Sequence, residues 1–160
     1  MKNYLYIILV LLLISCNSKK EEARKPVEKT LKKEFLEPIS EDILSHAVLY
    51  EANIRQYSTE GTFNAFSKDL PVLKEMGVKI LWLMPINPIS VSKSKGPLGS
   101  YYAVSDYTKV NPEFGTLDDF KALVQKAHNL GIYVILDWVP GHTGWDHHWI
   151  KDKSDYYLKN

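Results

Sequence analysis

The amino-acid sequence predicts an α/β fold in which parallel strands alternate with helices. Two apolar runs, residues 78–84 and 132–136, each follow an amphipathic segment that ends in a glycine. A third apolar run, residues 47–52, precedes the first of these segments. The order strand, helix, strand, helix, strand is typical of parallel βα units. Sheets of this kind bind ligands beyond the carboxyl ends of their strands.

The first helix is predicted to begin at Thr62 and to end at Gly77. A glycine after the last apolar position supplies the left-handed residue that ends many helices. The apolar side chains recur at helical spacing, and they are Phe63, Phe66, Leu70, Leu73 and Met76. We therefore expect one continuous helix between the first two strands.

The second helix is predicted to begin at Thr116 and to end before Gly131. Thr116 and Asp119 form a capping box in which Asp replaces the usual Glu. The apolar positions that follow are Leu117, Phe120, Leu123, Val124 and Ala127.

The apolar run 132–136 comes next, and its continuous hydrophobicity predicts a strand buried on both faces. Asp137 and His142 follow this strand, where a parallel sheet meets its ligand.

The N-terminus has the pattern of a signal peptide. Lys2 precedes a short apolar core, residues 4–14, which predicts a signal peptide over residues 1–15. Residues 13–16 also resemble the lipobox of bacterial lipoproteins, and Cys16 is the only cysteine, so no disulfide forms within the chain. We expect acylated Cys16 to anchor the protein in the bacterial envelope. The alternative to a lipoprotein is an ordinary signal peptide with an incidental cysteine at its end. Because the residue after Cys16 is Asn17 and not Asp, the outer membrane is favoured over the inner membrane.

The next segment, residues 16–45, is predicted to be a tether. Its first part is rich in charged residues and poor in apolar ones, which is typical of a solvated linker. Residues 31–35 have the pattern of one short helical turn within it. The whole chain carries a formal charge of only +1, which does not favour nucleic-acid binding.

Three segments of the chain resemble the α-amylase family of glycoside hydrolases, in particular its bacterial members. They are residues 78–88, 99–116 and 131–143. The resemblance implies a (β/α)8 TIM barrel, a fold that takes about 250 residues. Residues 46–160 would then be its first three βα units, an incomplete barrel that ends where an insertion after the third strand begins. The alternative is a complete small α/β domain, whose strands would lack covering helices.

The resemblance also implies carbohydrate chemistry, with an α-glucan as substrate and a retaining mechanism. Such enzymes need a nucleophilic carboxylate and an acid/base carboxylate. In this family those residues follow the fourth and fifth strands, so we expect no catalytic residue in residues 1–160 and no activity from this segment alone. The alternative from another class is a non-catalytic glycan-binding lipoprotein built on the same barrel.

The resemblance assigns roles to individual residues. His142 matches a histidine that hydrogen-bonds the sugar beside the cleaved bond. Tyr102 matches a tyrosine whose ring stacks on that sugar, with Tyr101 as the alternative. Asp137 matches a supporting aspartate that bonds an arginine beside the nucleophile. Asp106 and Tyr107 match a shared pair that we expect to be structural.

Two observations concern metals. Gly141 stands where calcium-binding members of the family have an asparagine ligand, and glycine has no side-chain oxygen, so calcium binding is doubtful. Asp146, His147 and His148 could join His142 as ligands of a different ion. Adjacent residues rarely converge on one ion, so we expect no metal there. The nearby Trp145 and Trp149 are expected to pack against an inserted domain or to line a sugar cleft, the two alternatives that the sequence leaves open.

Overall fold

The computed structural model describes residues 36–158, whose core is a three-stranded parallel sheet. The strands are β1 (Val48–Ala52), β2 (Val78–Leu83) and β3 (Tyr133–Leu136), in that order across the sheet. The predicted α/β fold with parallel strands is therefore confirmed, and each predicted strand agrees with the structure to within one residue at either end. The predicted signal peptide, Cys16 and the helical turn at 31–35 lie outside the described residues.

The other regular elements are helices, most of them only a few residues long. They are α1 (Glu41–His46), α2 (Ile54–Tyr57), α3 (Phe63–Ser67), α4 (Leu70–Glu75), α5 (Leu117–Asn129), α6 (Trp149–Asp152) and a 3-10 helix at Ser154–Tyr156. Helix α1 forms the end of the predicted tether and buries none of its residues. Between residues 36 and 158, no helix is both long and apolar enough to cross a bilayer.

The central strand β2 carries most of the buried sheet surface. Val78, Leu81 and Leu83 are at most 1% exposed, because β2 has a parallel neighbour on each side and also packs against α4. Burying each such side chain contributes roughly 1.5–3 kcal/mol. The buried core also includes side chains from the helices, among them Phe63, Phe66, Leu70, Leu73, Leu123 and Ala127.

The prediction of one helix over residues 62–76 is wrong, because the structure divides it into α3 and α4. The break lies at Lys68 and Asp69, directly before the first turn of α4. Pro71 occupies that first turn, where its missing N–H is tolerated, whereas it could not continue the hydrogen-bond ladder of a preceding helix. Met76, expected on the buried face, is 64% exposed at the end of α4.

The prediction that the third strand is buried on both faces is also wrong. Ile135 and Leu136 are 42% and 46% exposed. Within the described sheet, β3 lies at an edge and pairs with β2 alone. An apolar run of this kind shows that a strand forms, but its burial depends on neighbours that the run itself does not specify.

The capping box of α5 is present as predicted. The hydroxyl of Thr116 accepts a hydrogen bond from the Asp119 N–H at 3.1 Å, and the Asp119 carboxylate accepts one from the Thr116 N–H at 2.8 Å. The helix packs through Leu123 and Ala127, which are fully buried, whereas Leu117 in its first turn is 52% exposed. The predicted left-handed stop is also present, at Gly131 with φ +71°.

Replacing the cap residue of α5 tests how much this local signal stabilises the fold. Thr116→Ala is expected to lower the free energy of unfolding by about 1 kcal/mol, because it leaves an N-terminal N–H of a core helix unpaired. Ser40→Ala is the matched control, since Ser40 caps α1, which buries nothing. Its effect should stay below about 0.5 kcal/mol. Equal losses in urea denaturation of the two variants would contradict this account.

Candidate substrate-binding site

The long connection from β2 to α5 folds back over the carboxyl ends of the strands. Its first N–H, on Met84, donates to the Ala52 carbonyl at the end of β1 at 3.0 Å. Further along, the Asn87 side chain donates to the carbonyls of Tyr107 and Lys109 at 3.2 and 2.9 Å. These bonds hold the connection, and the tyrosines it carries, at the edge where ligands of parallel sheets bind.

The connection also docks on the segment that follows β3. The N–H of Gly144 donates to the Val104 carbonyl at 2.7 Å. The Asp146 carboxylate accepts the N–H groups of Val91 and Ser92 at 2.9 and 3.0 Å. Burial alone would raise the pKa of Asp146, but these bonds, with one from Ser90, hold it below its ordinary value. Asp146 therefore joins the two loops.

Tyr102 and Asp137, both predicted from the sequence, meet at the ends of β2 and β3. The Tyr102 hydroxyl donates to Asp137 Oδ2 at 2.8 Å. This hydrogen bond, and then burial, raises the pKa of Tyr102. The sequence did not indicate the contact, because 35 residues separate the partners. Asp137 itself is fixed by its N–H, which donates to the Leu83 carbonyl at 2.8 Å.

Tyr101, the alternative to Tyr102, has different surroundings. Its ring packs at the margin of the hydrophobic core. The guanidinium of Arg55 lies over that ring at 4.9 Å and also binds Glu113 at 2.7 Å. Tyr101 therefore takes part in a packed cluster, whereas Tyr102 stands beside the polar strand ends.

His142 is exposed and lies on a different cavity from Asp137. It lines a cavity of about 400 Å³ together with Trp145 and Trp149. Asp137 and Trp138 line a separate cavity of about 510 Å³. Within residues 36–158, no hydrogen bond joins the His142 side chain to Tyr102 or Asp137. The structure thus brings Tyr102 and Asp137 together, whereas no residue between 36 and 158 hydrogen-bonds the His142 ring.

The two tryptophans that line the cavity with His142 differ in burial. Trp149 is partly buried and packs on the rings of Tyr107 and His147 at 5.7 and 4.6 Å. Trp145 is 65% exposed, with the Lys93 ammonium 3.6 Å from its ring centre. A cation over an aromatic face is a favourable contact of about 0.5–1 kcal/mol at exposed sites.

His147 is a buried packing residue. It is 1% exposed, and its Nδ1 accepts the Trp149 N–H at 3.1 Å, so the neutral ring carries its proton on Nε2. That Nε2 has no hydrogen-bond partner among the described residues. Burial, with the neighbouring His148, lowers the pKa of His147, although Asp106 and Asp146 oppose this shift.

Two of the candidate metal ligands around His147 are already engaged in other contacts. Asp146 is bound to backbone N–H groups, and His148 Nδ1 lies 3.3 Å from the Asp152 carboxylate. In the part of the chain that the structure describes, no group of three His, Cys, Asp or Glu residues could hold a metal ion.

The residue that the family resemblance connects with calcium is Gly141. A Cβ added there would meet nothing within 4 Å, and the backbone is not in the left-handed region. A side chain would therefore fit at this position, but none with a ligand oxygen is present. Position 141 therefore supplies no side-chain oxygen to the calcium site that the resemblance implies.

Comparisons with known proteins agree on one family. The family described as "Alpha amylase, catalytic domain" matches residues 23–160, and this match begins inside the predicted tether. The chain is 42% identical over 115 residues to the α-amylase SusG of Bacteroides thetaiotaomicron and 37% identical over 115 residues to maltase 1 of Drosophila virilis. It superposes on the crystal structure of an α-amylase from Lactobacillus plantarum with a TM-score of 0.69 and 44% identity.

Each of these matches covers most of the chain but a small part of the relative. The aligned regions span 71%, 68% and 71% of this chain, and 15%, 17% and 27% of SusG, the maltase and the L. plantarum protein. The chain thus corresponds to less than a third of each relative.

The buried His147 leads to a prediction about pH. Because its folded pKa is lowered from 6.5, the unfolded chain binds the proton more tightly. The stabilisation is therefore present above pH 6.5 and is lost as the pH falls below that value. His147→Phe, which keeps a ring but cannot titrate, is expected to flatten the fall in melting temperature on acidification. His148→Phe, at an exposed neighbour, should keep most of that fall. If both variants retain it, His147 is not its source.

Proposed function

The chain belongs to the α-amylase family, and from this membership we propose that the protein containing it hydrolyses α-linked glucans by a retaining mechanism. The α-amylase and maltase names of the relatives favour an enzyme over the non-catalytic glycan-binding alternative. The observation that carries the proposal is the contact between Tyr102 and Asp137 at the carboxyl ends of the adjacent parallel strands β2 and β3, while His142, five residues after Asp137, lines a separate cavity.

His142 is proposed to bind the sugar at the cleaved bond. Its exposed imidazole can both donate to and accept from sugar hydroxyls when neutral. Because no described residue hydrogen-bonds the imidazole, its nitrogens are available to a ligand. A contact of this kind accelerates the reaction if it strengthens as the sugar distorts toward the oxocarbenium-like transition state.

Tyr102 is proposed to offer its ring to the same sugar while its hydroxyl holds Asp137. Apolar C–H groups on a glucose ring suit an aromatic face. Because the hydroxyl is bonded to Asp137 Oδ2, the ring is fixed relative to the strand ends before substrate arrives. This fixing favours Tyr102 over Tyr101, whose ring is covered by Arg55.

Asp137 is proposed to support the site and not to attack the sugar. A carboxylate that already accepts a tyrosine proton in a hydrogen bond is a weaker nucleophile than a free one. Retention also requires a second carboxylate about 5–5.5 Å away, one group attacking and the other donating and then removing a proton. We assign those two groups to parts of the barrel outside residues 1–160.

The protein is further proposed to work without calcium at position 141 and to be attached to the bacterial envelope through Cys16. The calcium proposal rests on Gly141, which supplies no ligand oxygen. The anchor rests on the lipobox-like residues 13–16 at the end of the apolar segment. With Asn17 next to the cysteine, we assign the outer membrane.

Kinetics on the complete enzyme test the role of His142. His142→Ala is expected to lower kcat/KM on a maltooligosaccharide tenfold to a thousandfold, because a lost transition-state hydrogen bond costs ~2–4 kcal/mol. The melting temperature should change little, since the side chain is exposed. His46→Ala, at an exposed histidine of α1, is the control and should leave both quantities unchanged. Full activity in His142→Ala would show that the family role does not apply here.

Chelation tests the proposed independence from calcium. EDTA is expected to leave the melting temperature and kcat/KM of the complete enzyme unchanged. Gly141→Asn supplies an oxygen at a position with free space, and it is the variant in which sensitivity to EDTA should appear. A large loss of stability on chelation of the unmodified protein would refute the proposal.

Fatty-acid labelling tests the anchor. We expect radiolabelled palmitate to enter the protein in its bacterial host and Cys16→Ala to abolish the label. Ser18→Ala, two residues away, serves as the control and should keep the label. Equal incorporation into the Cys16→Ala variant and the unmodified protein would rule out lipidation at this residue.

A further inference from the structure

The hydroxyl of Tyr107 bridges two backbone carbonyls in the segment that carries His142. It lies 2.9 Å from the Val139 carbonyl and 2.7 Å from that of His142 itself. A phenol has one proton, so the donation is shared between two acceptors that flank the turn at Pro140 and Gly141. Tyr107 itself belongs to the β2–α5 connection, whereas both carbonyls belong to the segment that follows β3.

This turn has little else to hold it. On either side, the N–H groups of Asp137 and Gly144 are bonded to Leu83 and Val104. Within residues 36–158, the intervening segment 138–142 makes no backbone–backbone hydrogen bond. Gly141 adds conformational freedom, because it has no side chain and none of the surrounding atoms would touch one.

The ring of Tyr107, by contrast, is held firmly. It is half-buried and packs against Trp138, His147 and Trp149 at centroid distances of 6.4, 5.5 and 5.7 Å. Burial also raises the pKa of Tyr107, which keeps the phenol protonated and able to donate. A fixed donor thus meets a turn that makes no backbone–backbone hydrogen bond among the described residues.

We propose that Tyr107 is a positioning residue, whose hydroxyl holds the turn at residues 139–142 so that the His142 imidazole meets the substrate in one orientation. The inference rests on the proposed function, because it gives His142 the role of sugar ligand. A displacement of about 1 Å in a substrate-positioning group is enough to cost a large factor in rate. The two carbonyls lie at an exposed turn, so water can replace the phenol, and removing it should alter orientation more than stability.

The test is a double-mutant cycle on the complete enzyme with a maltooligosaccharide as substrate. Tyr107→Phe keeps the packed ring and is expected to lower kcat/KM roughly tenfold, the factor expected for one ordinary hydrogen bond. In the His142→Ala background the same change should cost less than about twofold, because the residue through which it acts is absent. An equal loss in both backgrounds, or no loss in the first, would overturn the inference.

Two further variants separate the hydrogen bond from packing. Tyr133→Phe removes another tyrosine hydroxyl that donates to a carbonyl, that of Glu37 at 2.9 Å, at the opposite end of β3. It should leave kcat/KM unchanged. Tyr107→4-aminophenylalanine keeps a donor at the same ring position, and we expect it to stay within about threefold of the parent, since the bond is retained. A loss as large as that in Tyr107→Phe would contradict a role for the donor.

An NMR measurement reports on the surroundings of the His142 ring independently of catalytic activity. In protein labelled at the histidine ε carbon, the His142 signal is expected to shift or broaden in Tyr107→Phe and to stay unchanged in Tyr133→Phe. An unmoved His142 signal in Tyr107→Phe would overturn the inference even in an active enzyme. Failure of the proposed function looks different, because the parent would then cleave no α-glucan while the His142 signal still responded to Tyr107→Phe.

Discussion

The parallel pairing of β2 with both of its neighbours is the constraint on which the site depends. Leu83 at the end of β2 pairs with Ala52 on one side and with Leu136 on the other, so the three strands end level. Asp137 follows directly, and its N–H continues the ladder to the Leu83 carbonyl. A slip of one residue would turn every side chain of β3 to the opposite face and remove Asp137 from Tyr102. The burial of β2 therefore fixes the geometry of residues far from the core.

Two tyrosines of the β2–α5 connection transfer this order to the segment after β3. Tyr102 binds the Asp137 carboxylate, and Tyr107 binds two carbonyls around His142. Asp146 makes the reverse contact, since it lies after β3 and accepts N–H groups from the connection. The two loops thus hold each other in both directions. The connection is also bonded to the end of β1, through the Met84 N–H and the Ala52 carbonyl, and the other segment to the end of β2, through the Asp137 N–H and the Leu83 carbonyl.

Signals that are local in sequence predicted this fold well, and features that depend on distant neighbours were missed. The capping box of α5 could be found because its two residues are three apart. The break before Pro71 was also visible, but the apolar spacing across it favoured one helix. The exposure of Ile135 could not be found, because it depends on what lies beside β3. The bond between Tyr102 and Asp137 crosses 35 residues and leaves no pattern in the chain.

Burial, which composition does not reveal, separates residues of the same type into different roles. His142 and His147 lie in one short segment, yet one is exposed and the other 1% exposed with its Nδ1 bonded to the backbone. The buried ring favours its neutral form and packs, whereas the nitrogens of the exposed ring make no hydrogen bond within the described part of the chain. The two oxygens of the Asp137 carboxylate also differ in their surroundings. Its Oδ2 is held by Tyr102, while a carboxylate has a second oxygen that can accept from another donor. With one oxygen already held, the carboxylate presents a fixed acceptor, and the proposed supporting role of Asp137 rests on this arrangement.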